Sequence, residues 1–193
     1  MATGVAAESV PVDRTPVLES VPQSTFWTMS NGSRVEIRPI RLDDEQRMIK
    51  FHQGLSERSV YMRYFESLSL VVRTAHARLA KICFADPKRQ TVLVALSPAP
   101  SFGEQKILAI ARLNKSSDPG KAELALLVLD EFQDLGLGSG LLQQLLQAAR
   151  DQKITQIEAK VLRDNTAIQR VLKDFGFRLR LTNPQFMRAV LVL

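Results

Sequence analysis

The chain is poor in the residues on which several chemistries depend. It holds one cysteine, Cys83, with two histidines, two tyrosines and one tryptophan in 193 residues. A single cysteine excludes an internal disulfide and any cysteine-based metal cluster, and makes a reducing cytoplasm the expected compartment. Its simplest role is that of a small buried hydrophobe. His52 and His76 share no ligand spacing, so no metal is expected. No stretch approaches the roughly 20 apolar residues that span a bilayer. The start, MATGVAAESVPVDR, has neither a basic cluster nor a hydrophobic run, so neither a secretory signal nor a membrane partner is expected. Long basic tracts are missing too. The formal charge of +6 is spread along the chain, which favours anionic ligands over nucleic acid. What is present is ordinary for one globular domain, with 45% hydrophobic residues.

Residues 1–24 are rich in Ala, Val, Pro, Ser and Thr without periodicity and read as a flexible tail, leaving 25–193 as the domain. Asn31-Gly32, between Phe26-Trp27-Thr28-Met29 and the alternating Arg34–Ile40, predicts a hairpin in which Trp27 packs. Helices are predicted from Arg41–Asp44 to about Gln53, with Asp43 or Asp44 as N-cap, and over 56–65 and 73–83, ended by Asp86-Pro87. Strands follow at 91–96 and 106–113, separated by a loop over 97–103 that carries Pro98 and Pro100. Further strands are expected at 154–162, 177–181 and 186–193, and a helix at 166–174 stopped by Gly176. This order implies an α/β (α+β) fold with a mixed sheet and helices on both faces, because several neighbouring strands leave no room for crossover helices.

The most informative stretch is Ala122–Arg150. An apolar run of strand length crosses the polar turn Asp130–Asp134, enters Leu135-Gly136-Leu137-Gly138-Ser139-Gly140, and continues as an amphipathic helix with leucines at 141, 142, 145 and 146. Strand, glycine turn and helix together present free backbone N–H groups to an anion. A Walker loop requires a lysine after the last glycine, and none follows here. A dinucleotide fingerprint requires a third glycine at 141, where Leu141 stands. Gln133-x-x-Gly136-x-Gly138 remains, in the form Gln/Arg-x-x-Gly-x-Gly/Ala.

That pattern resembles the GNAT family of N-acetyltransferases, in which the loop cradles the diphosphate of acetyl-coenzyme A. Asn165–Phe177, an asparagine-led helix ending in Gly-Phe, looks like the family's second cofactor segment. Val35–Asp44 and Leu55–Phe65 resemble, more specifically, the acetyltransferase domain of bacterial protein lysine acetyltransferases. The resemblance covers about residues 26–193 and implies a GNAT fold with a mostly antiparallel mixed sheet flanked by helices. It also implies acetyl-CoA as co-substrate and, as acceptor, a protein such as an acyl-CoA synthetase or else a small amine. The synthetase-like or cyclic-nucleotide-binding domain often attached in those enzymes is not found in this sequence. A monomer or homodimer is expected.

Acetylating an amine requires removing a proton from a group whose solution pKa is near ~10.4, and a carboxylate can take it directly or through water. Glu123, at the start of the apolar run Leu124–Leu129, is the candidate base, and the resemblance implies the same residue. Apolar surroundings of that kind tend to raise a carboxylate pKa. The competing role is a solvated strand-end carboxylate paired with Lys121. The resemblance further implies that the backbone of Leu127, Val128 and Leu129 pairs with the pantetheine arm, and that Gln133, Leu135, Gly136, Leu137, Gly138, Ser139 and Gly140 hold the diphosphate. It also places Asn165 on the cofactor arm, unless it is a plain N-cap, and Arg170 or Lys173 on the ribose phosphate, unless they are solvated. Where many small-molecule enzymes of the family carry a tyrosine acid, this chain has Leu172. The nearest tyrosines are Tyr61 and Tyr64. Ser56–Ser59 and Arg63 either shape the acceptor entrance or form a local ion-pair network. A non-catalytic acyl-CoA sensor is the alternative of a different class.

Overall fold

The computed structural model of the protein describes residues 22–99 and 104–193. The predicted tail, apart from residues 22–24, and the end of the proline loop lie outside the described residues. Strands β1 (Thr25–Thr28) and β2 (Arg34–Pro39) form the hairpin expected at Asn31-Gly32, where Gly32 adopts a φ of 83° and the Asn31 side chain accepts from the Ser33 N–H. A single 3-10 turn, Leu42–Asp44, leads into α1 (Glu45–Gln53), followed by α2 (Glu57–Tyr64). The helix expected over 73–83 is α4 (His76–Cys83), and an unexpected short helix, α3 (Leu70–Arg73), precedes it. The break between them follows from Arg73, which turns inward to the carbonyls of His52 and Leu68, while Ala75 is extended (φ −58°, ψ 129°).

Strands β3 (Gln90–Leu96), β4 (Ile107–Lys115) and β5 (Lys121–Val128) run antiparallel to one another. β3 and most of β4 are buried on both faces, which is why their sequences are continuous aliphatic runs rather than alternating ones. Helix α5 (Leu137–Asp151) lies on one face, against β3, β4 and β5. Helices α1 and α2 lie on the face where Glu123 is found, with α3 and α4 packed beside α1. The α5 leucines at 141, 142, 145 and 146 are all buried, as their spacing predicts. β6 (Gln156–Leu162), α6 (Thr166–Asp174), β7 (Arg178–Leu181) and β8 (Phe186–Val192) complete the chain. The eight strands are ordered β1-β2-β3-β4-β5-β6-β8-β7. Each neighbouring pair is antiparallel except β5 with β6, which the crossover helix α5 makes parallel.

Candidate active site

The parallel pair is short. β5 and β6 match over Lys121–Glu123 and Gln156–Glu158 and then part, β5 staying on β4 while β6 follows β8 along its whole length. A cleft of about 610 Å³ opens in the fork. It is lined by Glu123–Val128 of β5, Ala159–Val161 of β6, the glycine turn, the start of α6, and Arg58, Ser59, Met62 and Arg63 of α2. Glu123 thus stands at the apex of the fork, the last residue of β5 paired to β6.

Along β5, backbone groups alternate between β4 and the cleft. The Leu129 N–H donates to Leu108 O (2.9 Å), so by alternation Leu127 also faces β4, whereas Val128 and Leu126 face the cleft. Of the three residues expected to present backbone to a pantetheine arm, Val128 alone turns its backbone away from β4 and towards the cleft. Leu129 is buried and lies off the cleft wall. The turn that follows is fixed by Asp134 at φ 57° and Gly136 at φ 82°, the second a conformation that favours glycine. Among the described residues the N–H groups of Asp134 to Ser139 have no hydrogen-bond acceptor, and Gly140, whose N–H reaches Gly136 O (3.0 Å), closes the first turn of α5. Free donors and the helix dipole therefore converge on the cleft. A Cβ on Gly138 would come within 3.2 Å of the Leu126 side chain on the same wall.

Gln133, Gly136, Leu137, Gly138 and Ser139 line the cleft, while Leu135 and Gly140 do not. Leu135 packs on the core and its carbonyl accepts from the Ser30 N–H (3.1 Å). Gly140 is a packing glycine: a Cβ there would sit 2.7 Å from the Trp27 indole. Trp27, expected to serve the hairpin, also wedges the hairpin against α5. Asn165 takes the N-cap role, accepting from the Ile168 N–H (3.3 Å), yet it also lines the cleft. Arg170 reaches the lining and Lys173 does not. Leu172 is fully buried, and among the described residues no tyrosine, cysteine or histidine lines the cleft.

Glu123 is exposed to the cleft. The apolar run that surrounds it in sequence does not surround it in space, because Ala122 and Leu124 point to the opposite face. Among the described residues its carboxylate makes no hydrogen bond or ion pair; Lys121 pairs with Asp118 instead. Glu158, opposite it in register, is engaged. Its oxygens accept from Arg188 (Nε, 2.8 Å, and Nη2) and from the Gln156 amide (2.6 Å). The Arg188 hydrogen bonds, aided by Gln156 and opposed by burial, hold the Glu158 carboxyl below the usual range. Of these two register-matched carboxylates, Glu158 is occupied and Glu123 is left without a partner among the described residues.

The start of α2 is latched to this site. Asp130 accepts from the Ser56 N–H (3.0 Å) and the hydroxyls of Ser56 (2.6 Å) and Ser59 (2.8 Å), and Gln133 donates to Ser59 Oγ (3.0 Å) and Val128 O (3.2 Å). Burial opposes ionisation of Asp130, but these hydrogen bonds keep its carboxyl below the usual range. The ion-pair reading of this region holds for Glu57, which meets Arg73 (3.2 Å), and fails for Arg58 and Arg63, which line the cleft without a carboxylate within 4.0 Å among the described residues. Behind Arg63 lies a small cavity walled by His52, Tyr64 and Arg112 together with aliphatic side chains. Burial pulls the Arg63 guanidinium below its usual range against the opposing charges of Tyr64 and Glu123, and Arg78 adds to the pull. Arg112 is lowered by burial and then by Arg63. Buried His52 is lowered to about 4 by desolvation and by Arg73 and Arg78. Arg112 is the residue that local reading missed, and its signal was an arginine inside the aliphatic run of β4.

Residues 34–178 match the model of the acetyltransferase (GNAT) domain. The chain belongs to the GNAT acetyltransferase family. Its sheet and flanking helices are the GNAT-type α/β fold. Among curated proteins it is 27% identical over 150 residues to the acetyltransferase PA5475 of Pseudomonas aeruginosa, covering 78% of each. Among solved structures it superposes on the GNAT domain of S. lividans PAT with a TM-score of 0.77 at 23% identity, covering 88% of this chain and 97% of that one. The PaiA N-acetyltransferase of Thermoplasma acidophilum, solved in complex with coenzyme A, gives a TM-score of 0.64 at 17% identity, with 82% and 99% covered. Among the described residues no helix is long and apolar enough to cross a membrane, and no group of three or more His, Cys, Asp or Glu is placed to hold a metal ion.

Proposed function

We propose that this GNAT protein transfers an acetyl group from acetyl-CoA to an amine, a protein lysine side chain being the preferred acceptor, with Glu123 as general base. The observation that carries the reading is the free Glu123 carboxylate at the apex of the same cleft that is lined by the turn whose N–H groups, Asp134–Ser139, are unbonded. Gln133, Gly136, Leu137, Gly138 and Ser139 would hold the diphosphate. The Val128 backbone would meet the pantetheine arm, the Asn165 side-chain amide would contact it from the N-cap of α6, and Arg170 would reach the ribose phosphate. Acetyl-CoA supplies the activated acyl group. Glu123 takes the amine proton as the N–C bond forms and the C–S bond breaks, and the Val128 N–H polarises the acyl carbonyl. A thiol pKa near ~8.5 lets the thiolate leave without a side-chain acid, in keeping with the buried Leu172 and a cleft wall without tyrosine.

The preference for a protein lysine is supported by the resemblance of Val35–Asp44 and Leu55–Phe65 to bacterial protein lysine acetyltransferases, the second segment carrying the latched helix α2 on the acceptor wall. Incubation with labelled acetyl-CoA, an acyl-CoA synthetase and a panel of small amines tests it. Label on protein lysine is the expected result. Turnover confined to polyamines or amino sugars would select a small-molecule enzyme. Tight acetyl-CoA binding with no acceptor acetylated would leave a sensor and overturn the catalytic reading.

A further inference from the structure

The arginines of this protein fall into two groups. Arg38, buried to 4% exposure, is clamped by Asp44 through two hydrogen bonds of 2.7 and 2.9 Å, and Arg47 joins the same carboxylate at 2.9 Å. Arg73, at 3% exposure, spends its donors on two carbonyls and Glu57. Burying a guanidinium is costly unless an anion or several acceptors meet it, and in these places they do.

Arg63, Arg78 and Arg112 break that rule together. The guanidinium carbons of Arg63 and Arg78 lie 5.1 and 4.9 Å from the centre of the Tyr64 ring. Arg112 reaches only the neutral oxygens of Gln90 (3.0 Å) and Asn114 (3.5 Å). No carboxylate lies within 4.0 Å of any of the three among the described residues, and the Nε atoms of Arg78 and Arg112, like that of Arg47, are buried without a partner. The group adjoins the base. Asn114 is the cross-strand partner of Glu123 and Arg112 that of Ala125, so Arg112 shares a face of the sheet with Glu123, and Arg63 lines the cleft beside it. The near wall adds Arg58 and Lys160, the latter 3.9 Å from the centre of the Phe186 ring.

We propose that the acceptor amine carries a carboxylate a few bonds or one residue away, and that Arg63, backed by Arg112 and Arg78, reads it. The inference rests on the acetyl-transfer reading and names the acceptor class for the same site. A lone ammonium is repelled by this wall, whereas an acceptor bearing its own negative charge is drawn in and leaves its amine beside Glu123. One charge-assisted hydrogen bond corresponds to about tenfold or more in affinity. The shared chemistry has two sources: an acidic side chain flanking a protein lysine, or the α-carboxylate of a free amino acid.

The test compares kcat/KM within matched acceptor pairs. One arm uses lysine peptides flanked by Asp or Glu against the same peptides with Asn or Gln. The other uses free amino acids against their carboxamides. The proposal expects an acid-to-amide ratio of about ten or more in one arm, which then names the source. It expects the ratio to fall towards one in Arg63→Gln and to reverse, in favour of peptides with flanking Lys, in Arg63→Glu. Because each ratio is taken within a single variant, a general loss of activity cancels, and a reversal cannot come from misfolding. Acetyl transfer with ratios near one in both arms overturns this inference alone, as does a ratio that neither variant moves. No transfer in any arm, with acetyl-CoA bound, overturns the acetyl-transfer reading and this inference with it.

Discussion

On the proposed function the cleft has a cofactor end and an acceptor end, and the two are built by opposite means. The cofactor end is backbone: one turn, Gln133–Ser139, supplies consecutive N–H groups, and its shape depends on what side chains do not occupy. The acceptor end is side chains: Glu123 from β5, Arg63 and Tyr64 from α2, Arg78 from α4, Arg112 from β4 and His52 from α1. A backbone site tolerates most substitutions except an added Cβ, whereas a side-chain site can lose its function through one atom. Recognition of the cofactor and action on the acceptor are therefore separable by mutation.

The largest expected effect is at the acceptor end. Glu123→Gln keeps the shape and removes the base, and should lower kcat about 100- to 10,000-fold at neutral pH, read by thiol release at saturating acetyl-CoA. Next comes the scaffold under that end. Asp44→Ala strands Arg38 in the core and should cost about 3–5 kcal/mol in denaturant unfolding. Arg63→Gln, which breaks no ion pair, should cost far less. An equal cost for the two would break the distinction between paired and unpaired arginines.

His52 makes the acceptor end sensitive to acid. Its folded pKa of about 4 lies below the unfolded value near ~6.5, so between the two the unfolded chain binds the extra proton. Its contribution is complete above about pH 6.5 and is lost as the pH falls towards 4, by up to roughly 3 kcal/mol. Unfolding midpoints followed across that window should fall with pH, and His52→Leu should flatten the curve. The smallest effect belongs to the cofactor end. Gly138→Val sets a branched side chain against Leu126 and should weaken acetyl-CoA binding by about tenfold or more, measured by titration calorimetry.

The same contrast governs what could be read from the sequence. The glycine turn, Asn165 and every helix and strand except the short α3 and the break at Thr74–Ala75 are signalled by neighbours in the chain, through period, caps and glycine spacing. The acceptor end is assembled by register. Nothing near Arg112 says that it faces Glu123's side of the sheet, and nothing near Glu158 says that Arg188 will occupy it. The family resemblance assigns Leu129 and Gly140 to the cofactor. Strand alternation turned the first towards β4, and Trp27, more than a hundred residues earlier in the chain, claimed the second. The insertion of β8 between β6 and β7 likewise has no local sign, yet β8 pairs with β6 along its whole length, past the point where β6 parts from β5.

The most direct test measures acetyl-CoA affinity and acetyl transfer on Glu123→Gln and Gly138→Val side by side. Separable ends require a crossed result. Glu123→Gln should bind acetyl-CoA as the parent does and fail to transfer, and Gly138→Val should bind weakly but regain most of its turnover when acetyl-CoA saturates. If Glu123→Gln retains full transfer, or if both variants lose binding and turnover together, the division of the cleft into a backbone cradle and a Glu123-centred acceptor site is wrong.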